Sequence, residues 1–441
     1  MKSDRRAPVA IIGGGFSGTM LAAQLARRGI GSVLVEGSGR AGRGVAYSTL
    51  EPLHLLNVRA DNMSAWPEDA QHFARVFASH GGDPHGFAQR WQFGEYLGEV
   101  LDEAIATGFV KIVSARAVGA EIRAGGWHVE LSDGSVVEPE ALALAIGNQP
   151  PDRLRKSGPF GPRYVENPWG EEAGRAVAEA ASLGGDVLII GTGLTMIDLV
   201  LSLEAAGHAG PITALSRRGL IPRTHSELAP APVELAQVPR GNVRMLARWL
   251  RRRSGQVGWR AAVDSLRPHA HELWQALPPS EQKRFLRHAR PWWDVHRHRI
   301  APEVAQRIKA RIQAGRLEVH AGRVVGMEPA REGIEVATTR RGAAQVTTRH
   351  YSHVFNCTGP LGAIAETKDP LLRSMLDRGL IQPDHLGIGV AVDARSRAAG
   401  SDRLWALGPL TKGRYWEIIA VPDIRGQAAA VAEDIAMELN R

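Results

Sequence analysis

Two glycine-rich turns are the residues of this chain best suited to chemistry. The first is Gly13-Gly14-Gly15-Phe16-Ser17-Gly18, after the apolar run Pro8-Val9-Ala10-Ile11-Ile12. The second is Gly191-Thr192-Gly193-Leu194-Thr195-Met196, after Asp186-Val187-Leu188-Ile189-Ile190. Gly13, Gly15 and Gly18 let the backbone turn tightly and approach a pyrophosphate, and aim helix N–H groups at it. Glu36 lies eighteen positions after Gly18, at the end of the apolar strand Ser32-Val33-Leu34-Val35, where its carboxylate can accept bonds from ribose hydroxyls. One such turn suggests a dinucleotide site. Two in one chain point to electron transfer between two dinucleotides.

The second turn departs from the pattern, because Met196 stands in place of the third glycine. Gly191 and Gly193, the two that face phosphate, are kept; only the close helix–strand packing is loosened. Where this site would otherwise carry its ribose-binding acid, the chain has Ser216-Arg217-Arg218. An acid would repel a 2′-phosphate, whereas a hydroxyl and two guanidinium groups would hold it, so NADPH is the expected coenzyme. The other reading is a pair of solvated arginines at a strand end.

These turns need strands and helices to place them. The 441 residues suffice for two or three domains, and 44% hydrophobic content with mixed charge is that of a globular chain. A helix through 19–26 follows the first turn and is stopped by Gly29. Segments 117–123 and 127–137, with the turn Ser132-Asp133-Gly134, read as a small antiparallel meander. The run 141–146 reads as a buried strand, and the Gly/Pro-rich stretch to Gly170 as a crossover between domains. A second βαβ unit starts at Asp186. The expected fold is α/β: two Rossmann-like dinucleotide-binding domains, the first at 1–170, the second at 171–345, and a return to the first at 346–441. A helical insert is expected at about 225–315, and a C-terminal helix from about Ile424.

Several classes are set aside by composition. The single cysteine, Cys357, excludes any Cys-x-x-Cys redox pair, which the two-dinucleotide disulfide reductases need. It closes an apolar strand and reads as a small core residue. No apolar run is long enough to span a bilayer, and residues 1–8 leave no room for a signal peptide, so a cytoplasmic protein without a membrane partner is expected. The net charge of +8 is local: residues 240–316 carry eighteen Lys/Arg against five Asp/Glu. A nucleic-acid partner is therefore not expected.

Further stretches carry a family resemblance. They are Gly42-Arg43-Gly44-Val45-Ala46-Tyr47-Ser48, residues 54–64 (HLLNVRADNMS), residues 145–151 (AIGNQPP), residues 293–302 (WDVHRHRIAP) and Asn356-Cys357-Thr358-Gly359-Pro360. Over nearly its full length the chain resembles bacterial FAD/NAD(P)-binding flavoproteins related to the amino-group-hydroxylating flavin monooxygenases, in which an inserted NADPH domain splits the FAD domain. The resemblance implies that FAD occupies the first site, and that segment 54–64, with Asn57 and Met63, lies beside the isoalloxazine. It implies also that Gly147 contacts the cofactor and that Gly408 and the start of the last helix lie near the flavin pyrimidine edge. A helix N-terminus there would stabilise negative charge on reduced flavin. Asp423 is either part of that edge or a helix cap.

The activity implied is NADPH oxidation by FAD, reaction of the reduced flavin with molecular oxygen to a C4a-hydroperoxide, and hydroxylation of a small substrate. A reductase or dehydrogenase that never inserts oxygen, or a non-enzymatic flavin-binding redox sensor, would use the same sites. No general acid or base is evident. Arg297 and Arg299 are the candidate holders of an anionic substrate group, through bidentate Arg–carboxylate bonds. They could equally pair with Glu or Asp from another domain. The five histidines between His269 and His298 have arginine rather than acidic or thiolate neighbours, so no metal is expected. The run 244–253 puts Met245, Leu246, Trp249 and Leu250 on one helix side, expected to pack inward.

Overall fold

The computed structural model describes residues 7–123, 126–152, 154, 160–227 and 229–440. Five short, wholly parallel strands form the first sheet: β1 (Val9–Ile12), β2 (Ser32–Val35), β3 (Val110–Val113), β7 (Ala141–Leu144) and β15 (Leu404–Ala406), in the order β15-β7-β1-β2-β3. β1 is buried on both faces, as a near-continuous apolar run in a covered parallel sheet must be. Its alternation sorts the packing. Val9 and Ile11 face a helical layer containing α1 (Phe16–Ala26), α2 (Arg90–Ala106) and, at the end of the chain, the helix Val421–Leu439. Ala10 and Ile12 face the antiparallel meander β4 (Ala117–Arg123), β5 (Gly126–Leu131) and β6 (Val136–Val137), through Trp127, Val129 and Leu131.

The second sheet has seven strands in the order β13-β12-β11-β10-β9-β14-β8. They are β8 (Tyr164–Val165), β9 (Val187–Ile190), β10 (Ile212–Ser216), β11 (Leu317–Ala330), β12 (Gly333–Arg340), β13 (Val346–Tyr351) and β14 (His353–Asn356). Val187 and Ile189 pack under α3 (Leu194–Ala205) and the helix Pro302–Gln313; Leu188 and Ile190 meet Met327, Ile334 and Val336 on the other face.

This topology corrects the expected boundaries. β8 lies before residue 171 yet pairs with β14, and β13 and β14 lie after 345 yet belong to the second sheet. The chain thus leaves the first domain between Leu144 and Tyr164 and returns after Asn356. The two crossings run side by side: Pro151 and Pro360 form an antiparallel bridge, and Asn356 Nδ2 donates to the Asp152 carbonyl at 3.0 Å.

The helical insert also begins later than expected. Residues 225–227 and 229–242 are largely irregular, and α4 spans Val243–Val257, capped by Asn242, whose Oδ1 accepts from the Met245 N–H. Leu246, Trp249 and Leu250 pack inward, but Met245 is 53% exposed, because it sits one step round from that stripe. The helix Pro302–Gln313 belongs to the second domain's own core through Val304 and Ile308.

Candidate functional site

Both glycine turns lie at the carboxyl ends of central parallel strands, where open α/β sheets form their binding crevices. In the first, the Gly13 N–H donates to the Val35 carbonyl at 2.9 Å, with Gly13 at φ +103°. A Cβ on Gly13 would stand 2.6 Å from the Ala145 carbonyl oxygen, and one on Gly18 would stand 1.9 Å from the Gly13 oxygen. These two glycines are required by packing. Gly15 is different: it precedes α1 in extended conformation, and a Cβ there would meet only Gly44 Cα at 3.6 Å. Its outward side has the room that a pyrophosphate requires, above the helix start at Phe16 and Ser17, where the first N–H groups of a helix have no partner within it. At the neighbouring strand end, Glu36 Oε2 accepts from the Gly14 N–H at 2.8 Å and Oε1 from the Ser38 N–H at 2.6 Å. The carboxylate is thus fixed beside the turn.

The second turn repeats this geometry. The Gly191 N–H donates to Leu215 O at 2.8 Å, φ is +121°, and a Cβ would stand 2.0 Å from the Cys357 carbonyl. Gly193 precedes α3, and a Cβ placed on it would meet no atom within 4 Å. Met196 is fully buried in the second core, so the missing third glycine is filled by packing rather than left as a gap. Ser216 Oγ lies 2.8 Å from Thr192 Oγ1 and accepts from the Gly219 N–H at 3.0 Å, which ties the strand end to the glycine turn. Arg217 is exposed and Arg218 half-buried, and among the described residues neither makes an ion pair.

The other expected contacts gather around these turns. Gly147 follows β7 at φ +77°, and Gly408 follows β15 at φ +62°, its N–H donating to Gln427 Oε1 of the C-terminal helix at 2.7 Å. A Cβ on Gly408 would stand 2.5 Å from Ser17 Oγ. Met63 is buried, and the Ser64 carbonyl accepts from Arg425 at 2.8 Å, so segment 54–64 touches the start of the C-terminal helix. That helix begins at Val421 with Ala420 as its cap residue; Asp423 is in the first turn instead, and burial raises its carboxyl pKa. Cys357 is buried, and desolvation pushes its thiol far above the usual range, which leaves it no nucleophile.

Arg297 and Arg299, the candidate holders of an anionic substrate group, are both engaged by carboxylates of the chain itself. Arg299, 3% exposed, holds Asp264 through both terminal nitrogens at 2.6 and 3.1 Å and donates its Nε–H to the His296 carbonyl at 2.8 Å. Arg297 Nε lies 3.1 Å from Glu417 Oε2, both side chains nearly dry. A buried guanidinium is held by a carboxylate because desolvating it alone is too costly; both arginines are struts.

Sequence reasoning missed four polar residues that join the domains. Arg90 on α2 grips Asp198 on α3 at 2.8 and 2.9 Å, and His54 contacts the Asp198 carbonyl at 2.9 Å. His225 Nε2 donates to the Asn57 carbonyl at 3.0 Å. Only His54 fell inside a recognised stretch; nothing in spacing marks the other three.

The fold is that of the two-dinucleotide flavoproteins. It matches L-lysine 6-monooxygenase from Pseudomonas syringae with a TM-score of 0.69 at 17% identity, covering 98% of this chain and 99% of that one. Ornithine hydroxylase from Pseudomonas aeruginosa matches with a TM-score of 0.68 at 15% identity, covering 98% and 99%. Thioredoxin reductase of T. acidophilum matches more loosely, with a TM-score of 0.54 at 15% identity, covering 99% and 100%. Residues 10–149 match the family model described as FAD-NAD(P)-binding, and so carry a domain of that class. No curated protein sequence matches the chain. Among the described residues no helix is long and apolar enough to cross a membrane.

Proposed function

We propose that this protein is an FAD-dependent, NADPH-oxidising monooxygenase that hydroxylates a small, amino-bearing substrate. The observation that carries the reading is the repeated cradle: two turns of the same geometry, with room for a Cβ at Gly15 and Gly193 where Gly13, Gly18 and Gly191 are closed by backbone. Gly13, Gly15, Phe16, Ser17, Gly18 and Glu36 would hold FAD, with Asn57, Met63, Gly147 and Gly408 around its ring system. Gly191, Gly193, Ser216, Arg217 and Arg218 would hold NADPH. FAD supplies hydride acceptance and oxygen activation; the chain's part is to align the two cofactors and keep water from the reacting centre.

Oxygen insertion is favoured over thiol chemistry by Cys357, the chain's single cysteine, buried at a strand end. The structural likeness to lysine and ornithine hydroxylases supports an amino group as the site of hydroxylation. Small amines and amino acids should be screened for substrate-stimulated NADPH oxidation, with hydroxylated product and hydrogen peroxide measured together. Product matching NADPH consumed supports the monooxygenase; rapid NADPH oxidation with electrons passed to an added acceptor and no product supports a reductase.

A further inference from the structure

One strap of the first domain, residues 49–57, lies against α3 of the second domain and runs on into segment 57–64. The strap is clamped to α3 by an unusually dense set of bonds. Arg90 grips both oxygens of Asp198, with side chains only 13% and 8% exposed, and its Nε–H also donates to the Leu55 carbonyl at 3.3 Å. The His54 ring spans Thr49 Oγ1 at 2.9 Å on one side, and the Asp198 carbonyl at 2.9 Å and Ser202 Oγ at 3.1 Å on the other. Leu53, Leu55 and Phe87 of the first domain pack against the second domain's core, beside Met196 and Ile197. α3 is the helix whose first turn follows Gly193, so whatever fixes α3 fixes the second cradle.

We infer that Arg90, Asp198 and His54 form a latch that sets the distance and angle between the two dinucleotide sites, making them positioning residues for electron transfer. The inference rests on the oxidoreductase reading above. The physical reason is that reacting groups held by separate domains depend on the domain seam, and a misplacement of about 1 Å can cost roughly a hundredfold in rate. A buried, doubly hydrogen-bonded ion pair specifies one seam geometry, because any other leaves charges unpaired.

The test replaces both charges together, Arg90→Met with Asp198→Leu, so that neither partner is stranded and the domains still fold. Spin labels are placed at Glu103→Cys and Leu183→Cys, exposed sites on the two domains, while buried Cys357 stays unlabelled. The latch predicts one narrow interdomain distance with Arg90 and Asp198 present and a broadened distribution in the double variant. It also predicts flavin reduction by NADPH about ten- to a hundredfold slower in the double variant, with flavin content and NADPH affinity retained. An unchanged distance distribution overturns the latch, and so does an unchanged reduction rate. If NADPH fails to reduce the flavin of the unaltered protein, the oxidoreductase reading falls, and the distance measurement alone decides the latch.

Discussion

Arg297 of the helical insert and Glu417 of the first domain's carboxyl-terminal segment face each other at 3.1 Å, with side chains 9% and 4% exposed. Trp293 Nε1–H adds a 2.7 Å bond to the same carboxylate, and Glu417 itself adopts φ +65°, a conformation non-glycine residues seldom take. Strain of this kind persists only where surrounding contacts hold it. The pair is the bolt between the insert and the first domain.

Removing one partner, by Arg297→Gln or Glu417→Gln, should therefore destabilise the protein by about 3–5 kcal/mol, the range for stranding a buried charge. The double variant Arg297→Met with Glu417→Leu should recover most of that loss. Urea unfolding midpoints measure both. A single variant as stable as the parent would mean the pair is not held as described.

Glycine substitutions should separate cofactor binding from folding. Gly15→Val places its branched side chain in the open cradle and should give folded apoprotein. Gly18→Ala puts a methyl 1.9 Å from the Gly13 oxygen and should impair folding itself. Circular dichroism and flavin absorbance of the purified variants distinguish the two, and full flavin content in Gly15→Val contradicts the assignment of the first site.

The reading of each turn from sequence succeeded for a local reason. A strand, a glycine turn and a helix in succession are specified within about thirty residues, and strand alternation at Val9–Ile12 and Val187–Ile190 names both sheet faces. Long-range pairings carry no such signal. β8 is two residues long and finds its partner β14 almost two hundred positions away, so the domain boundary was misplaced. The pairing of Arg297 and Arg299 is hidden for a related reason. Their residue type fits an anion site, but whether Glu417 and Asp264 neutralise them is decided by tertiary packing. Arg90 and Asp198 were invisible because they are joined only in space.

Coenzyme choice should depend on Arg217 and Arg218. Losing a charge-assisted bond to a 2′-phosphate costs about 1.5–3 kcal/mol, roughly ten- to a hundredfold in affinity. Replacing both by alanine should weaken NADPH binding by at least that factor and leave NADH nearly unchanged, as titration calorimetry can show. Equal losses for both coenzymes would assign these arginines to the fold.

His225 should make the domain seam acid-labile. Burial is the main cause that lowers its pKa to about 4, with Arg299 and Arg59 adding to it and the Asn57 carbonyl opposing. The unfolded chain protonates this ring near its ordinary value, so between about pH 6.5 and 4 the unfolded state binds more protons. Stability is then full above about pH 6.5 and declines on acidification toward about pH 4, by up to roughly 3 kcal/mol. His225→Gln keeps a donor for Asn57 but cannot titrate, and its urea midpoint should fall less over that interval than the parent's.

If two dinucleotides meet in this fold, anaerobic mixing of the flavin-loaded protein with NADPH reads out their contact. The absorbance of oxidised flavin should disappear rapidly with NADPH, and return when oxygen is admitted. A flavin that stays oxidised in the presence of excess NADPH would mean that the two sites do not exchange electrons, whatever the protein binds.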